Sequence, residues 1–205
     1  LQEHACRPAV DPLFRSVARS RSSYNRVESE FANLTAAKDA HKRTAEAVAD
    51  WSPATDVRLV TLAPELPGAL DVVRQLVDQG VVVSAGHSMA TFAQAKAGFN
   101  AGITYATHLF NAMPTLHHRD PGLVAAALLD ERITVGILAD GLHVDPIADV
   151  LAWRLTGPGR FNLVTDAMAA LGMPFGDYLL GDFAVTVQNS EARLADQTLA
   201  GCIVA

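Results

Sequence analysis

The sequence predicts an α/β fold, a partial (β/α)8 TIM-type barrel with β-hairpin material at its C-terminal end. Three observations carry this expectation. From residue 56 onward, short apolar strands alternate with helical segments, the pattern of a parallel sheet covered by helices. A polar residue repeatedly stands where an apolar strand ends: His87, His108, Asp140 and Asp166. Barrels of this kind carry their sites at the C-terminal ends of their strands, and such a series suits that arrangement. The rival is a doubly wound sheet, but no glycine-rich phosphate loop follows an early strand.

The elements read in order. Alanine-rich spacing from about Ala36 to Trp51 predicts a helix, ended by Ser52-Pro53. Val57 to Leu62 predicts a buried strand, left through Ala63-Pro64-Glu65. Leu70 to Asp78 is amphipathic and predicts a helix closing at Gly80, and Val81 to Ala85 is a second strand that delivers Gly86-His87. Thr91 to Phe99 predicts a helix closed by Asn100 and Gly102, before a third strand from Ile103 to His108. A helix around Gly122 to Asp130 leads to a fourth strand, Ile133 to Ala139, ending in Asp140-Gly141-Leu142-His143. Pro146 to Thr156 predicts another helix, and Phe161 to Asp166 a fifth strand. Tyr178-Leu179-Leu180 and Phe183 to Val187 suggest a hairpin. Five strands cannot close an eight-stranded barrel. The sequence therefore reads as a piece of a longer protein, as does its start on Leu1 without an initiator methionine.

Composition divides the chain near residue 50. Residues 1–50 form an atypical segment rich in Arg, Ser, Ala and Glu, and residues 51–205 hold the partial barrel. Arg15, Arg19, Arg21 and Arg26 fall among serines, which reads as a solvated stretch rather than a binding patch. Half of the 205 residues are hydrophobic and 19% are charged, enough apolar material for a substantial core. A net charge of -6 argues against a nucleic-acid partner. It leaves room for an anionic small molecule, which needs only one or two well-placed cations. No apolar run approaches the roughly 20 residues of a bilayer span, so no membrane partner is expected. The first residues lack the basic-then-apolar order of a secretion signal. Cys6 and Cys202 form no CxxC pair, a usage that suits a reducing cytoplasm.

His87 and His108 end consecutive strands, so their side chains can converge over a barrel mouth. Neutral imidazoles there suit Zn²⁺ or a similar divalent ion, which polarises a carbonyl and lowers the pKa of bound water. Asp166, two strands later, is expected to be at least partly enclosed, and an enclosed carboxylate needs a partner. Metal-bound water is one such partner, from which Asp166 could take a proton and return it to a leaving amine. The plainer alternatives are hydrogen-bonded loop residues for the histidines and a helix cap for Asp166. His143 could donate a hydrogen bond or polarise a carbonyl oxygen. Asn111 offers an amide donor and acceptor. Arg119 is either a clamp for phosphate or carboxylate or an ordinary surface arginine. His117 and His118 read as structural.

In this order, Thr61-Leu62-Ala63-Pro64-Glu65, Gly86-His87-Ser88, Thr107-His108-Leu109-Phe110-Asn111-Ala112-Met113, Arg119-Asp120-Pro121-Gly122, Asp140-Gly141-Leu142-His143-Val144 and Val164-Thr165-Asp166-Ala167 carry a resemblance. From about Val57 to Gly201 the chain resembles the N-acetylglucosamine-6-phosphate deacetylase family, metal-dependent barrel hydrolases of the amidohydrolase superfamily. The resemblance implies a cytoplasmic enzyme, a homodimer, that hydrolyses the N-acetyl group of N-acetylglucosamine 6-phosphate to acetate and the amine. It implies a divalent metal ion, Zn or Fe, and a small amino sugar phosphate as ligand. By that similarity His87 and His108 are metal ligands and Asp166 is the catalytic acid/base. Asn111, Ala112, Arg119 and His143 would contact the substrate, with Arg119 reaching the sugar phosphate across a dimer interface. Leu199, Ala200 and Gly201 resemble the segment that closes over the N-acetyl group.

The departures from the family pattern are specific. The family's third metal ligand is the glutamate of a His-x-Glu-Gly-Pro-Phe/Trp motif, followed about a dozen residues later by Lys-Gly-x-His. Here the match is Arg26-Val27-Glu28-Ser29-Glu30-Phe31 and then Lys38-Asp39-Ala40-His41. Glu28 thus stands for the metal ligand and His41 for a substrate contact, without the Gly-Pro that aims the glutamate. The first barrel strand, with its metal-site motif, has no counterpart, and Cys202 stands where the family usually has serine. Two other readings remain at this stage. One is a different amidohydrolase, such as a cyclic amidase or deaminase, and the other an inactive remnant that binds a sugar phosphate or a partner.

Overall fold

The structure, a computed structural model, describes residues 45–168, 170–180, 183–189 and 191–203. Glu28, His41 and most of the helix expected from Ala36 lie outside these residues.

Five parallel strands form one sheet in the order of the chain: β1 (Leu59–Leu62), β2 (Val82–Ala85), β3 (Tyr105–Ala106), β4 (Thr134–Ile137) and β5 (Phe161–Leu163). Each pairs with the next, Thr61 opposite Ser84, Ser84 opposite Tyr105, Ala106 opposite Val135 and Gly136 opposite Asn162. A doubly wound sheet reverses its strand order at a switch point, and this one does not; it is an arc of a barrel. Four helices connect the strands: α1 (Ala69–Asp78), α2 (Phe92–Ala101), α3 (Gly122–Leu129) and α4 (Pro146–Thr156). Each packs against its successor, making one helical layer.

Partners across a parallel ladder share a face. Val60, Leu62, Val83, Ala85, Ala106, Val135 and Ile137 all point to the helices and are buried with Val72, Val73, Leu76, Phe99, Leu123 and Val124. The helix α3, Gly-Leu-Val-Ala-Ala-Ala-Leu-Leu, is apolar all round because seven of its eight residues are buried. Val48 and Trp51 join this core, and the side chains of Gln75 on α1 and of Gln79, its C-cap, donate to the carbonyls of Ala45, Val48 and Ala49.

The opposite face of the sheet is polar. Thr61, Ser84, Tyr105, Thr134 and Asn162 share it. The Thr107 hydroxyl, just past β3, bridges Thr61 at 2.8 Å and Ser84 at 2.6 Å, so three strands are joined by one chain of hydroxyls. Tyr105 crosses over Gly136 and accepts a hydrogen bond from Asn162 at 2.7 Å; a Cβ at Gly136 would lie 2.6 Å from the tyrosine oxygen.

Helix starts follow their capping chemistry. Thr91 and Gln94 cap α2 reciprocally, and the Asp145 carboxylate accepts the Ile147 N–H ahead of α4. At the N-terminal ends of β4 and β5, Arg160 donates to the carbonyls of Leu128, Asp130, Ile133 and Leu155. Beside it, buried Asp130 is bound by Lys96 and Arg132, and this pairing, chiefly with Arg132, holds its carboxyl well below the usual range despite burial. Together these contacts tie helix C-termini to strand starts.

The C-terminal residues form an antiparallel sheet of β6 (Gly176–Leu180), β7 (Phe183–Gln188) and β8 (Glu191–Arg193). The expected hairpin is there, with a third strand that its single apolar residue, Ala192, did not announce in the sequence. Val185, Val187 and Ala192 pack with Met168, Ala170 and Ala200 in a second small core.

Candidate active site

Strand alternation puts Gly86 and Thr107 on the polar face, so a continuing strand would turn the next residue towards the helices. It does not continue. His87 and His108 adopt left-handed backbone conformations, φ 47° and 31°, and Asp166 past the end of β5 does the same at φ 46°. Left-handed backbone is uncommon outside glycine and clusters where function over-determines the chain. Here it ends β2 and β3 and aims the side chains. Gly86 permits the turn: a Cβ there would lie 2.7 Å from Thr61 Cγ2 and 2.9 Å from Thr107 Cβ.

The two imidazoles meet edge to face, with ring centroids 4.6 Å apart and Nε2 atoms 2.7 Å apart. Nitrogens that face each other this closely share a proton or share a cation. Both are thus able to serve as ligands of one divalent ion, and this chemistry fits the donor set. Among the described residues no third His, Cys, Asp or Glu completes a metal-binding group. His108 is buried, while His87 stands exposed at the rim. Enough protein surrounds the His87 ring that desolvation lowers its pKa, against the opposing pull of the Asp166 charge. The shift favours the neutral ring, the form that binds a metal.

Asp166 was expected to be at least partly enclosed. It is exposed, because β5 is the sheet's edge strand and no further strand flanks it among the described residues. Its backbone is nonetheless held. The Asp166 carbonyl accepts the Cys202 N–H at 2.9 Å, and Cys202 returns a carbonyl to the Met168 N–H at 2.9 Å. That ladder brings Leu199, Ala200 and Gly201 beside the site; a Cβ on Gly201 would lie 3.1 Å from the Asp166 carbonyl oxygen. On the other side of Cys202, its Sγ lies 3.6 Å from Asp140, which binds His143.

Comparisons with known proteins bear on this constellation. No family model matches the chain. It is 43% identical over 148 residues to the N-acetylglucosamine-6-phosphate deacetylase of Lysinibacillus sphaericus, covering 72% of this chain and 38% of that protein. It is 45% identical over 145 residues to the N-acetylgalactosamine-6-phosphate deacetylase of Escherichia coli O157:H7, covering 71% and 38%. Among solved structures, an aspartate-to-alanine variant of N-acetyl-D-glucosamine-6-phosphate deacetylase from Mycobacterium smegmatis, in complex with N-acetyl-D-glucosamine-6-phosphate, superposes with a TM-score of 0.74. The identity is 42%, over 80% of this chain and 42% of that one. The chain is a relative of the N-acetylglucosamine-6-phosphate deacetylases. It spans about two fifths of the length of those relatives, 38% of each of the two curated proteins above.

Not every residue singled out from the deacetylase resemblance reaches the same place. Asn111 and Ala112 follow His108 in a run with left-handed φ at His108, Phe110 and Ala112. Arg119 lies on an exposed loop and hydrogen-bonds His118, with no contact to the histidine pair. Sequence reasoning missed what two quoted carboxylates hold. Glu65 accepts the Ser88 hydroxyl and the Met89 N–H, each at 2.6 Å, and Ser88 N–H donates to the Ala112 carbonyl at 3.1 Å. The loop after His87 is therefore clamped from β1 on one side and from the Asn111-Ala112 segment on the other. The signal was present in the quoted motifs, since a buried-strand exit ending in glutamate invites a search for what that carboxylate holds. Asp140 was singled out at its strand end, but its hold on His143 was not foreseen. A cleft of about 380 Å³ beside Glu65, lined also by Arg74 and Gln94, contains none of the candidate catalytic residues.

Proposed function

We propose that the protein of which this chain is at least a part hydrolyses the acetamido group of an N-acetyl amino sugar phosphate, N-acetylglucosamine 6-phosphate first, to the free amine and acetate. One observation carries the reading: the Nε2 atoms of His87 and His108 converge at neighbouring strand ends, with the Asp166 charge acting on the same ring. His87 and His108 would hold a divalent cation, Zn or Fe, with Glu28 as a further ligand. When bound, such a cation supplies Lewis acidity, polarising the acetyl carbonyl and acidifying water.

The residues do the rest. Asp166 takes a proton from water as the water oxygen bonds to the acetyl carbon. As the C–N bond breaks, Asp166 returns that proton to the departing nitrogen. Its exposed position gives it access to water, and its backbone is held by Cys202. Asn111, Ala112, His143 and His41 would contact the sugar, and Leu199 to Gly201 would lie over the N-acetyl group. Arg119, on its exposed loop, would serve the phosphate of a neighbouring subunit in a homodimer. No helix among the described residues is long and apolar enough to cross a membrane. A charged sugar phosphate does not cross bilayers, which suits work in the cytoplasm.

Acetate release from N-acetylglucosamine 6-phosphate, with N-acetylgalactosamine 6-phosphate in parallel, tests the reading. Release should stop with a chelator and return with Zn²⁺ or Fe²⁺. Asp166→Asn should reduce kcat by about 10²–10⁴-fold. An unchanged rate in that variant would remove Asp166 from the mechanism.

A further inference from the structure

A second buried polar cluster lies at the end of β4. The Asp140 carboxylate uses both oxygens. Oδ1 accepts the backbone N–H groups of Leu142 and His143 at 2.9 Å each, and Oδ2 accepts the Nδ1–H of His143 at 2.6 Å. Gly141, at φ 73°, supplies the left-handed turn that folds these donors back onto the carboxylate. Cys202 Sγ lies 3.6 Å from the same Oδ2. Both side chains are nearly closed to solvent, Asp140 being 12% and His143 8% exposed. Burial alone would push the Asp140 carboxyl up, but the N–H groups of His143 and Leu142 and the His143 ring outweigh it and hold it below its usual value.

Nε2 of His143 is different: it is buried and makes no hydrogen bond in the described structure. A buried polar atom left unmet costs about 1–3 kcal/mol, so its presence calls for an explanation outside the fold. The other ring nitrogen shows what kind of group could meet it. With the Nδ1 proton committed to Asp140, a neutral imidazole carries its lone pair on Nε2 and can only accept.

We infer that Asp140 is a positioning residue: it locks His143 in the Nδ1–H form and presents Nε2 as an acceptor for a hydroxyl or amide N–H of the amino sugar. The inference rests on the deacetylase reading for its substrate, but not for the state of the ring. Asp140 touches no reacting atom and acts through His143, as carboxylates behind histidines commonly do.

Two measurements on the full chain test it. Long-range ¹H–¹⁵N correlation spectra of the imidazole nitrogens report the His143 tautomer without metal or substrate. The wild type should show Nδ1–H, and Asp140→Asn should shift the ring towards Nε2–H, because an asparagine amide can donate to Nδ1. In acetate release, Asp140→Asn should lower kcat/KM by about 10–100-fold. That loss should disappear when His143→Ala is already present, since both act through one ring. A wild-type His143 in the Nε2–H form overturns the inference, whether or not the variant folds. So does an Asp140→Asn effect that persists in the His143→Ala background. Failure of the wild type to release acetate with metal supplied sinks the deacetylase reading instead, and the tautomer still decides the role of Asp140.

Discussion

Three side chains with proposed chemistry, His87, His108 and Asp166, sit on left-handed backbone, each costing on the order of 1–3 kcal/mol. That cost explains why neighbouring residues are so constrained. Gly86→Ala should destabilise the chain by about 1–3 kcal/mol in urea denaturation, because its Cβ meets two threonine side chains that are stiff at χ1. An unchanged midpoint would mean that Thr61 and Thr107 can give way. At this scale the sequence was informative where chemistry and position coincide. A histidine or aspartate closing an apolar strand is visible in one dimension. What a carboxylate reaches is not: Glu65 and Ser88 are 23 residues apart and meet only because β1 and β2 are neighbours. The exposure of Asp166 was likewise invisible, since it depends on what flanks β5 rather than on β5 itself.

Helix limits were legible almost to the residue, because Thr91, Asp145 and Gly157 carry cap chemistry of their own. The strands came out shorter than their apolar runs. β3 was expected from Ile103 to His108 and keeps only Tyr105–Ala106, since the ladder gives way to the turn that aims His108. Connections between elements carry two predictions. Glu65→Ala frees the loop after His87 and should weaken Zn²⁺ binding about 10–100-fold, read by chelator competition. If affinity is unchanged, the clamp does not orient the histidine. At the opposite end of the sheet, Asp130 has a depressed pKa in the fold. Its contribution is therefore complete above the unfolded value of about 3.9 and is lost as pH falls below it towards the folded pKa. The stability gap between wild type and Asp130→Asn should accordingly be wide at pH 7 and close under acid. Urea titrations across that range would show a constant gap if the ion pairs contribute nothing.

Among the described residues the parallel sheet is an arc with β1 and β5 at its margins. Around β5 the apolar surface is not covered: Leu163 is 68% and Ile147 69% exposed, and Val150, Leu151 and Leu155 on α4 are exposed with them. Such a surface beside an open strand edge favours association. Sedimentation velocity of the chain should show concentration-dependent oligomers, reduced by Leu163→Lys; monomer at all concentrations would mean that this face is covered in solution. The barrel class was readable because strand and helix alternate with polar strand ends. The polar inner face was harder to foresee, since Thr61, Ser84 and Tyr105 are scattered singly in apolar runs and align only through the register. One property of the parallel sheet reaches further. Every strand of it runs the same way, so the groups with proposed chemistry gather at one rim and those that staple, Arg160 and Asp130, at the other. Among the described residues no hydrogen bond links the two sets. Changes at the two rims should therefore combine without interference: Arg160→Ala and Asp166→Asn together should lose the stability of the first and the rate of the second, each unaltered by the other. In such an architecture a lineage can tune durability and chemistry as separate inheritances.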